Sequence, residues 1–361
     1  MIRVKVNQLQ EGCILSEDVF GKSNKPIIPK NTILTPLLLT VLKKFFIEDV
    51  YVKSVLANGE PFKPSEIIES SQNQEREIEE EEIISLYLKA VQQYKRIFQG
   101  WQSGLPVDIG EVRAVIIPLL DKLIESKSEL FSLYRYTTKE DYLYHHAISV
   151  GLFAGFIAKN LNYDKGDYYQ IAISGVLCDC GMAKIDQRLL TKSSALTSDE
   201  YKEIKQHTVY GYKMIQKLPV LQEGAKLAVL QHHERNDGSG YPFGLDEKKI
   251  HPYSKIVAVA DVYHAMISER LYRAKQSPFK ALEQLQADSF GKLSMEIVQV
   301  LLDHLTAFNV GTKVKLSSGE TAEIVFIYPD SPTRPMVKNL ETNQFVSLRE
   351  HRNIHIEEVI Y

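Results

Sequence analysis

The sequence has few cysteines, no excess of positive charge and no long apolar run, and each shortage excludes a class of protein. Three cysteines among 361 residues are too few for a disulfide scaffold, so a reducing compartment is expected. A net charge of -3 excludes the broad basic surface that binds nucleic acid. No apolar run approaches the ~18 residues of a membrane span, and the first residues lack the apolar segment of a secretory signal. We therefore expect a cytoplasmic protein with no membrane span and no nucleic-acid partner.

Four segments of different pattern divide the chain. Residues 1–66 combine strand-like alternation with one short helical stripe, which predicts a small N-terminal α+β accessory module. Residues 67–132 read as a polar linker followed by connecting helices, and residues 133–306 are almost continuously helical. Residues 307–361 alternate short strands with turn residues. The predicted fold class is mainly α, with an all-helical bundle core, the N-terminal α+β module and a small C-terminal β-barrel-like domain.

The first connecting helix has an acidic run, Glu79 to Glu82, near its N-terminal end. Negative charge there interacts favourably with the helix dipole, which favours a solvated helix start. The alternative is a rod that couples signals or forms a homodimer through the connecting helix. The sequence leaves both interpretations open.

The stretch from Gln231 to Leu245, QHHERNDGSGYPFGL, concentrates residues suited to chemistry. His232 and His233 end an apolar helical run, and neutral imidazole is the commonest metal ligand in proteins. The glycines and the proline that follow indicate an ordered loop whose backbone can approach a ligand closely. Taken alone, the histidine pair favours a helix end with surface histidines that runs into a mobile loop, and only the other candidate ligands of the chain favour a metal site.

Other imidazoles and carboxylates lie on apolar helical stripes or at their ends, namely His146, Asp179, His207 and Asp261. Asp261 lies within IVAVADVYHAM, where a buried carboxylate is costly unless it is paired or bound to metal. The alternative partner is a helix end or an arginine. Mixed imidazole and carboxylate ligands suit Mn, Fe or Zn, and a shared aspartate can bridge two ions. Two such ions cleave phosphoesters by activating water and stabilising the leaving oxygen.

Together these motifs resemble the HD-GYP family, a subgroup of the HD metal-dependent phosphohydrolases, over residues 133–306. The resemblance is carried by His146, Cys178–Asp179, His207, His232–His233, the Gly-Tyr-Pro at 240–242, Asp261 and ERLYR at 269–273. It implies an HD-type helical bundle that hydrolyses the bacterial second messenger cyclic di-GMP to pGpG or GMP. The flanking segments resemble, more weakly, accessory domains often seen with this family, and signalling protein partners are expected.

The resemblance also implies roles for individual residues. Asp179 would be the catalytic residue that bridges the metals, which would be one or two divalent ions, Fe or Mn, with Zn as the further option. One ion would be held by His207, His232 and His233, and the other by His146 and Asp261. Tyr241, Arg270 and Arg273 would face guanine or phosphate, and the planar arginine fork suits phosphate oxygens.

The sequence departs from the family pattern at three positions. Cys178 replaces the histidine of the namesake pair, so it is either a thiolate ligand or a small packed residue. Met182 replaces a lysine that would stabilise charge on the phosphate, and Lys184 is placed on another side of a helix. Tyr142 replaces a third-metal carboxylate. These changes support an alternative function, a catalytically inactive cyclic di-GMP receptor or protein-interaction module. An HD phosphohydrolase for another nucleotide is the third hypothesis.

Overall fold

The computed structural model describes residues 1–21, 26–70, 75–192, 194–268, 276–288 and 290–360. The α-helices of this part are α1 (Pro36–Lys44), α2 (Glu75–Gln102), α3 (Ile109–Glu125), α4 (Lys127–Leu130), α5 (Tyr142–Asn160), α6 (Lys165–Leu177), α7 (Gln187–Leu190), α8 (Ser198–Lys205), α9 (His207–Ile215), α10 (Glu223–Gln231), α11 (Pro252–Ile267), α12 (Pro278–Asp288) and α13 (Met295–Leu305). Short 3₁₀ helices cover Val6–Gln8, Leu133–Tyr136 and Cys180–Lys184.

The strands lie towards the two ends of the chain. They are β1 (Ile2–Lys5), β2 (Cys13–Leu15), β3 (Val19–Phe20), β4 (Pro26–Ile28), β5 (Asp49–Leu56), β6 (Glu69–Ser70), β7 (Lys313–Leu316), β8 (Thr321–Phe326), β9 (Met336–Asn339), β10 (Phe345–Ser347) and β11 (Ile356–Ile360). The prediction of a mainly α protein with small β elements at both ends is confirmed.

The N-terminal strands form an antiparallel sheet in the order β2-β5-β1-β6, with Val4 opposite Val50. Alternate residues of β1 and β5 pack with Leu15 and Leu42 in one buried cluster. Helix α1 begins where Thr35 accepts a hydrogen bond from the Leu38 amide, and Pro36 supplies a preset backbone angle at the first helical position. The strand and helix patterns read from this segment therefore occur as expected.

The helical core is organised around α5, whose residues 145–158 are all buried. A helix that is apolar on every side is enclosed by its neighbours, and α5 is packed by α2, α3, α6, α11 and α13. This enclosure brings His146 of α5 next to Asp179, just after the end of α6, and next to Asp261 in the middle of α11. None of the described helices is long and apolar enough to span a membrane.

Helix α2 lies along the bundle. Its apolar side chains, from Ile83 to Trp101, are buried in the core of the same chain. A homodimer through α2 would therefore use its other faces. The acidic run is not simply solvated, because Glu80, Glu81 and Glu82 pair with the Lys53 ammonium, the N-terminal amine and the Lys122 ammonium. Two of these pairs join the N-terminal sheet to the helical core.

The C-terminal strands form a five-stranded antiparallel sheet in the order β10-β9-β8-β7-β11. The sequence predicts a barrel-like domain, whereas the described ladder has β10 and β11 as its edges with no pairing between them. Phe279 of α12 packs into the apolar cluster of this sheet. The Arg334 guanidinium binds the Glu283 carboxylate of α12 through two hydrogen bonds of 2.7 and 2.6 Å, which fixes the sheet against the helices.

Candidate metal centre

Ends of helices supply most of the candidate ligands. Asp179 lies two residues after α6, His207 opens α9, and His232 and His233 follow α10 directly. One ligand atom from each of these four residues lies within 4.8 Å of the other three. Gly181 makes this approach feasible, because a Cβ at that position would collide with the His207 carbonyl oxygen.

The Asp179 carboxylate lies between two groups of imidazoles. Its Oδ1 atom is 3.2 Å from His207 Nε2 and 3.8 Å from His232 Nε2. Its Oδ2 atom is 3.7 Å from His146 Nε2, on α5. The two oxygens of one carboxylate thus face different histidines, which is the geometry of a carboxylate that can contact two ions.

Asp261 completes the second group. Its Oδ1 atom lies 3.0 Å from His146 Nε2, and its Oδ2 atom lies 3.7 Å from His233 Nδ1. Asp261 is in the middle of α11 and is 7% exposed. The structure therefore brings all six predicted ligands together, His146, Asp179, His207, His232, His233 and Asp261, and the partners of Asp261 are imidazoles rather than an arginine or a helix end.

Backbone carbonyl groups determine which nitrogen of two imidazoles carries the proton. His207 Nδ1 lies 2.7 Å from the Ile204 carbonyl oxygen, and His232 Nδ1 lies 3.0 Å from the Val229 carbonyl oxygen. A carbonyl oxygen only accepts, so each Nδ1 is the donor and each neutral ring has an unprotonated Nε2. Those two Nε2 atoms face each other at 3.3 Å. Two facing lone pairs beside an ionised carboxylate fit a shared cation.

The protonation states agree with this interpretation. Burial alone raises the pKa of the Asp179 carboxyl, but the surrounding imidazoles, His232 first among them, outweigh it and hold that pKa below its ordinary value. The pKa of Asp261 is lowered in the same way, against the effect of burial, mainly by the neighbouring His146 imidazole. Burial lowers the pKa values of His207 and His233. Ionised carboxylates and neutral imidazoles are the protonation states that bind metal.

The loop after His233 covers this cluster. The Tyr241 ring stacks on the His233 ring with centroids 4.6 Å apart, and Lys205 Nζ lies 5.0 Å from the centre of the Tyr241 ring. Gly240 passes so close to the Glu234 and Arg235 backbone that no Cβ would fit. The peptide bond between Tyr241 and Pro242 is cis. The stacking holds Tyr241 against His233, next to the candidate centre.

A buried carboxylate holds the loop in place. Glu234 is 2% exposed, and its two oxygens accept hydrogen bonds from the Phe243 amide at 2.7 Å and the Leu245 amide at 2.8 Å. Each oxygen satisfies one backbone N–H that would otherwise lack a partner inside the loop. Glu234 therefore fixes the chain on the C-terminal side of Tyr241.

Two positions where the sequence departs from the family pattern lie next to the cluster. Cys178 is fully buried in the hydrophobic core, and burial, followed by the charges of Asp179 and Asp261, raises the pKa of its thiol. It is outside the group of four mutually close ligands, and its role as a ligand stays a prediction. Met182 packs against the same core. Lys184 Nζ donates to the Trp101 carbonyl oxygen at 2.9 Å, so it is directed to the end of α2.

The remaining predicted positions are Tyr142, Arg270 and Arg273. Tyr142 places its hydroxyl 3.2 Å from His146 Nδ1 and stacks on that ring, so it contacts a ligand rather than supplying a carboxylate. Arg270 and Arg273 belong to residues 269–275, which lie outside the described part of the chain. Their roles therefore stay predictions.

Sequence reasoning missed three residues of the site, His264, Glu234 and Lys205. His264 is fully buried and lies 2.9 Å from His146 through their Nδ1 atoms. Its position three residues after Asp261 on one helix face was an available signal. Glu234 stands inside the loop motif, but its contacts to backbone amides have no sequence signature. Lys205 gave no local signal, because it meets Tyr241 only through the fold.

Comparisons with known proteins find relatives of this chain. Residues 118–293 match the family described as HD domain. A cyclic di-GMP phosphodiesterase of Thermotoga maritima is 36% identical over 219 residues, which are 56% of this chain and 59% of that protein. The cyclic di-GMP phosphodiesterase PA4108 of Pseudomonas aeruginosa is 27% identical over 244 residues, 67% of this chain and 58% of that protein. The chain thus spans less than two thirds of the length of these relatives.

A solved structure shares the fold. The HDG"Y"P protein Bd1817 from Bdellovibrio bacteriovorus aligns with a TM-score of 0.51 at 15% identity, over 85% of this chain and 99% of that one. At this identity the likeness concerns the fold alone.

Proposed function

We propose that this protein, whose residues 118–293 match the HD domain family, is a metal-dependent phosphodiesterase that hydrolyses cyclic di-GMP to pGpG or GMP. The observation that carries the proposal is the pair of unprotonated nitrogens, His207 Nε2 and His232 Nε2, which face each other at 3.3 Å. Both lie beside Asp179 Oδ1, and the His207 ring also neighbours the Tyr241 ring. The curated relatives named cyclic di-GMP phosphodiesterases support the choice of substrate.

The six converging residues fit two divalent ions. Asp179, His207, His232 and His233 would hold one ion, and His146 with Asp261 and the second oxygen of Asp179 would hold the other. Imidazole with carboxylate suits Fe or Mn, with Zn as the further option. When bound, such ions supply a nucleophile from water at neutral pH and stabilise charge on the phosphate oxygens.

The chain's own groups would prepare and orient this centre. Asp179 and Asp261 are ionised before any ion arrives, because their pKa values are lowered by the imidazoles around them. The Nδ1–H groups of His207 and His232 stay on backbone carbonyl oxygens and keep both Nε2 atoms directed at the centre. Tyr241 is proposed to face a guanine, and the Lys205 ammonium lies over its ring and adds a cation there. Arg270 and Arg273 are proposed phosphate contacts on sequence grounds.

A catalytically inactive receptor for cyclic di-GMP is the second candidate. It is favoured by Cys178, whose thiol is buried and has a raised pKa, and by Met182, which brings no charge to the phosphate. Lys184 does not replace that charge, since its ammonium is engaged at Trp101. This candidate keeps the metal centre and the Tyr241 loop but lacks turnover.

We further propose the domain division at residues 66, 132 and 306. Separate apolar clusters around Val52 and Val337 support the terminal units, and the large cluster of the helical core lies between them. The terminal units would connect the HD domain to signalling partners.

Product formation from cyclic di-GMP tests the proposal against the receptor. Purified, anaerobically reduced protein is supplied with Mn²⁺ or Fe²⁺, and products are separated by chromatography. Asp179→Ala is the negative variant, and Asp164→Ala, at an exposed position before α6, is the matched control. We expect pGpG or GMP from the wild type and from the control, and none from Asp179→Ala.

Two other outcomes contradict the proposal. Binding of cyclic di-GMP without product, in folded and metal-loaded protein, would establish the receptor. Faster cleavage of cyclic GMP-AMP than of cyclic di-GMP in the same assay would show that the protein is a phosphodiesterase with a different substrate.

A further inference from the structure

His264 forms a buried chain of hydrogen bonds behind the candidate metal centre. It is fully buried on α11, and its Nδ1 atom lies 2.9 Å from His146 Nδ1. Ser268 Oγ, a hydroxyl that is itself buried, lies 3.1 Å from His264 Nε2 and 3.4 Å from His264 Nδ1. The His264 ring therefore contacts both the predicted ligand His146 and Ser268.

We propose that His264 is a positioning residue that selects the metal-binding tautomer of His146. Two imidazole nitrogens 2.9 Å apart share a single hydrogen, so one ring donates and the other accepts. When His146 Nδ1–H donates to His264 Nδ1, the Nε2 atom of His146 is unprotonated. That atom is the one that lies 3.0 Å from Asp261 Oδ1 and 3.7 Å from Asp179 Oδ2.

Ser268 lies against the same ring. His264 accepts at Nδ1, so its own proton is on Nε2, and the buried Ser268 Oγ is 3.1 Å from that nitrogen. In the reverse arrangement the serine hydroxyl donates to His264, His264 donates to His146, and His146 Nε2–H donates to Asp261. Each ring has one proton in both arrangements. The chain therefore reverses its direction without gaining or losing a proton, and an ion at His146 Nε2 stabilises the first arrangement.

Helix α11 carries both Asp261, which contacts His146, and His264, the residue that we propose orients His146. Asp261 and His264 are three residues apart and so lie on one helix face. Tyr142 is a second neighbour of His146 Nδ1, with its hydroxyl 3.2 Å away. The contact of His146 with His264 is shorter than its contact with Tyr142, and His264 is fully buried. We therefore assign the selection of the tautomer to His264.

Metal binding to variants tests this inference independently of hydrolysis. The inference rests on the proposed metal centre but requires no turnover. Anaerobic titration with Mn²⁺ counts the ions and gives their affinities for the wild type, His264→Leu, His264→Asp and Tyr142→Phe. We expect His264→Leu to weaken one of two ions by about 10–100-fold, as loss of an outer partner of a ligating histidine does. His264→Asp, which still accepts from His146 Nδ1–H, should restore most of the affinity, and Tyr142→Phe should change it little.

A direct readout of the tautomer covers the case in which His264→Leu does not fold. The ¹⁵N chemical shifts of histidine-labelled wild-type protein loaded with Zn²⁺ report which ring nitrogen carries the proton. We expect His146 to be protonated at Nδ1 and His264 at Nε2. Two ions bound with wild-type affinity by folded His264→Leu would overturn the inference, as would a proton on His146 Nε2 or a wild type that binds fewer than two ions. A wild type that matches these expectations but forms no product would refute the proposed function alone.

Discussion

His207 and His232 present unprotonated Nε2 atoms to each other across 3.3 Å. Both tautomers are set by backbone carbonyl oxygens one helical turn earlier, at Ile204 and Val229. Facing lone pairs repel, and an ionised Asp179 lies next to both. A cation removes that repulsion, so the local backbone geometry itself favours metal binding.

Glu234→Gln should loosen the loop that carries Tyr241. The glutamine side chain has one oxygen and one donor, so either the Phe243 or the Leu245 amide would face a donor in a buried place. An unsatisfied buried group costs about 1–3 kcal/mol. We expect the free energy of unfolding in urea to fall by that amount and KM for cyclic di-GMP to rise, with metal content unchanged.

The matched control is Glu247→Gln, in the same loop region but with an exposed side chain. An exposed ion pair contributes about 0–1 kcal/mol, so this variant should stay close to the wild type. Equal effects of the two substitutions would show that Glu234 does not hold the loop.

Acidification should destabilise the protein through His145. Burial lowers the pKa of His145 to about 4, from an ordinary value of 6.5, and Tyr87 contacts its Nδ1 atom at 2.9 Å. Between these two pH values the unfolded chain binds a proton that the folded chain excludes, so stability falls as pH falls. At 1.36 kcal/mol per pKa unit, the loss attributable to this ring is about 3 kcal/mol.

Urea denaturation at pH 7 and pH 4.5 measures this effect. His145→Gln, which cannot gain a proton in this range, should lose less stability between the two pH values than the wild type does. Equal losses would show that the acid sensitivity comes from other groups, such as the buried His207 and His233.

Met182→Lys should raise turnover of cyclic di-GMP. Met182 is three residues after Asp179, in the short 3₁₀ helix that follows it. A preorganised donor at charge that develops in the transition state contributes about 10²–10³-fold in kcat. We expect an increase towards that range, measured as initial rates of pGpG formation at saturating metal.

Lys184→Met provides the contrast for this prediction. Its ammonium is bound to the Trp101 carbonyl oxygen, so the substitution should leave kcat near the wild-type value. A rate unchanged by Met182→Lys, with normal metal content, would show that position 182 does not face the reacting phosphate.

Much of the fold could be predicted from the sequence because local periodicity determines which residues form helices and which face of each helix is apolar. The helices around His146 and Asp261 and the strands of both terminal sheets follow from such patterns. The tail was expected to be barrel-like, whereas its described strands leave two edges. Strand propensity predicts that strands form, but closure depends on tertiary pairing.

The candidate site could be predicted only in part. Carboxylates and imidazoles on apolar stripes identified six converging residues, because burial of such groups requires partners. The contact between His146 and His264 joins residues 118 apart in the chain and depends on how α5 meets α11. The partners of the acidic run likewise come from other segments, Lys53 and Lys122 among them. Neither relationship has a local pattern.

The most direct measurement is the metal content of wild-type protein and of Asp179→Ala after anaerobic loading with Mn²⁺ or Fe²⁺ and removal of free ions. Asp179 contacts both groups of imidazoles, so its loss should release both ions, while the exposed control Asp164→Ala should retain them. We predict two equivalents in the wild type and in the control, and less than one in Asp179→Ala. An unchanged metal content in folded Asp179→Ala would contradict the assignment of the site.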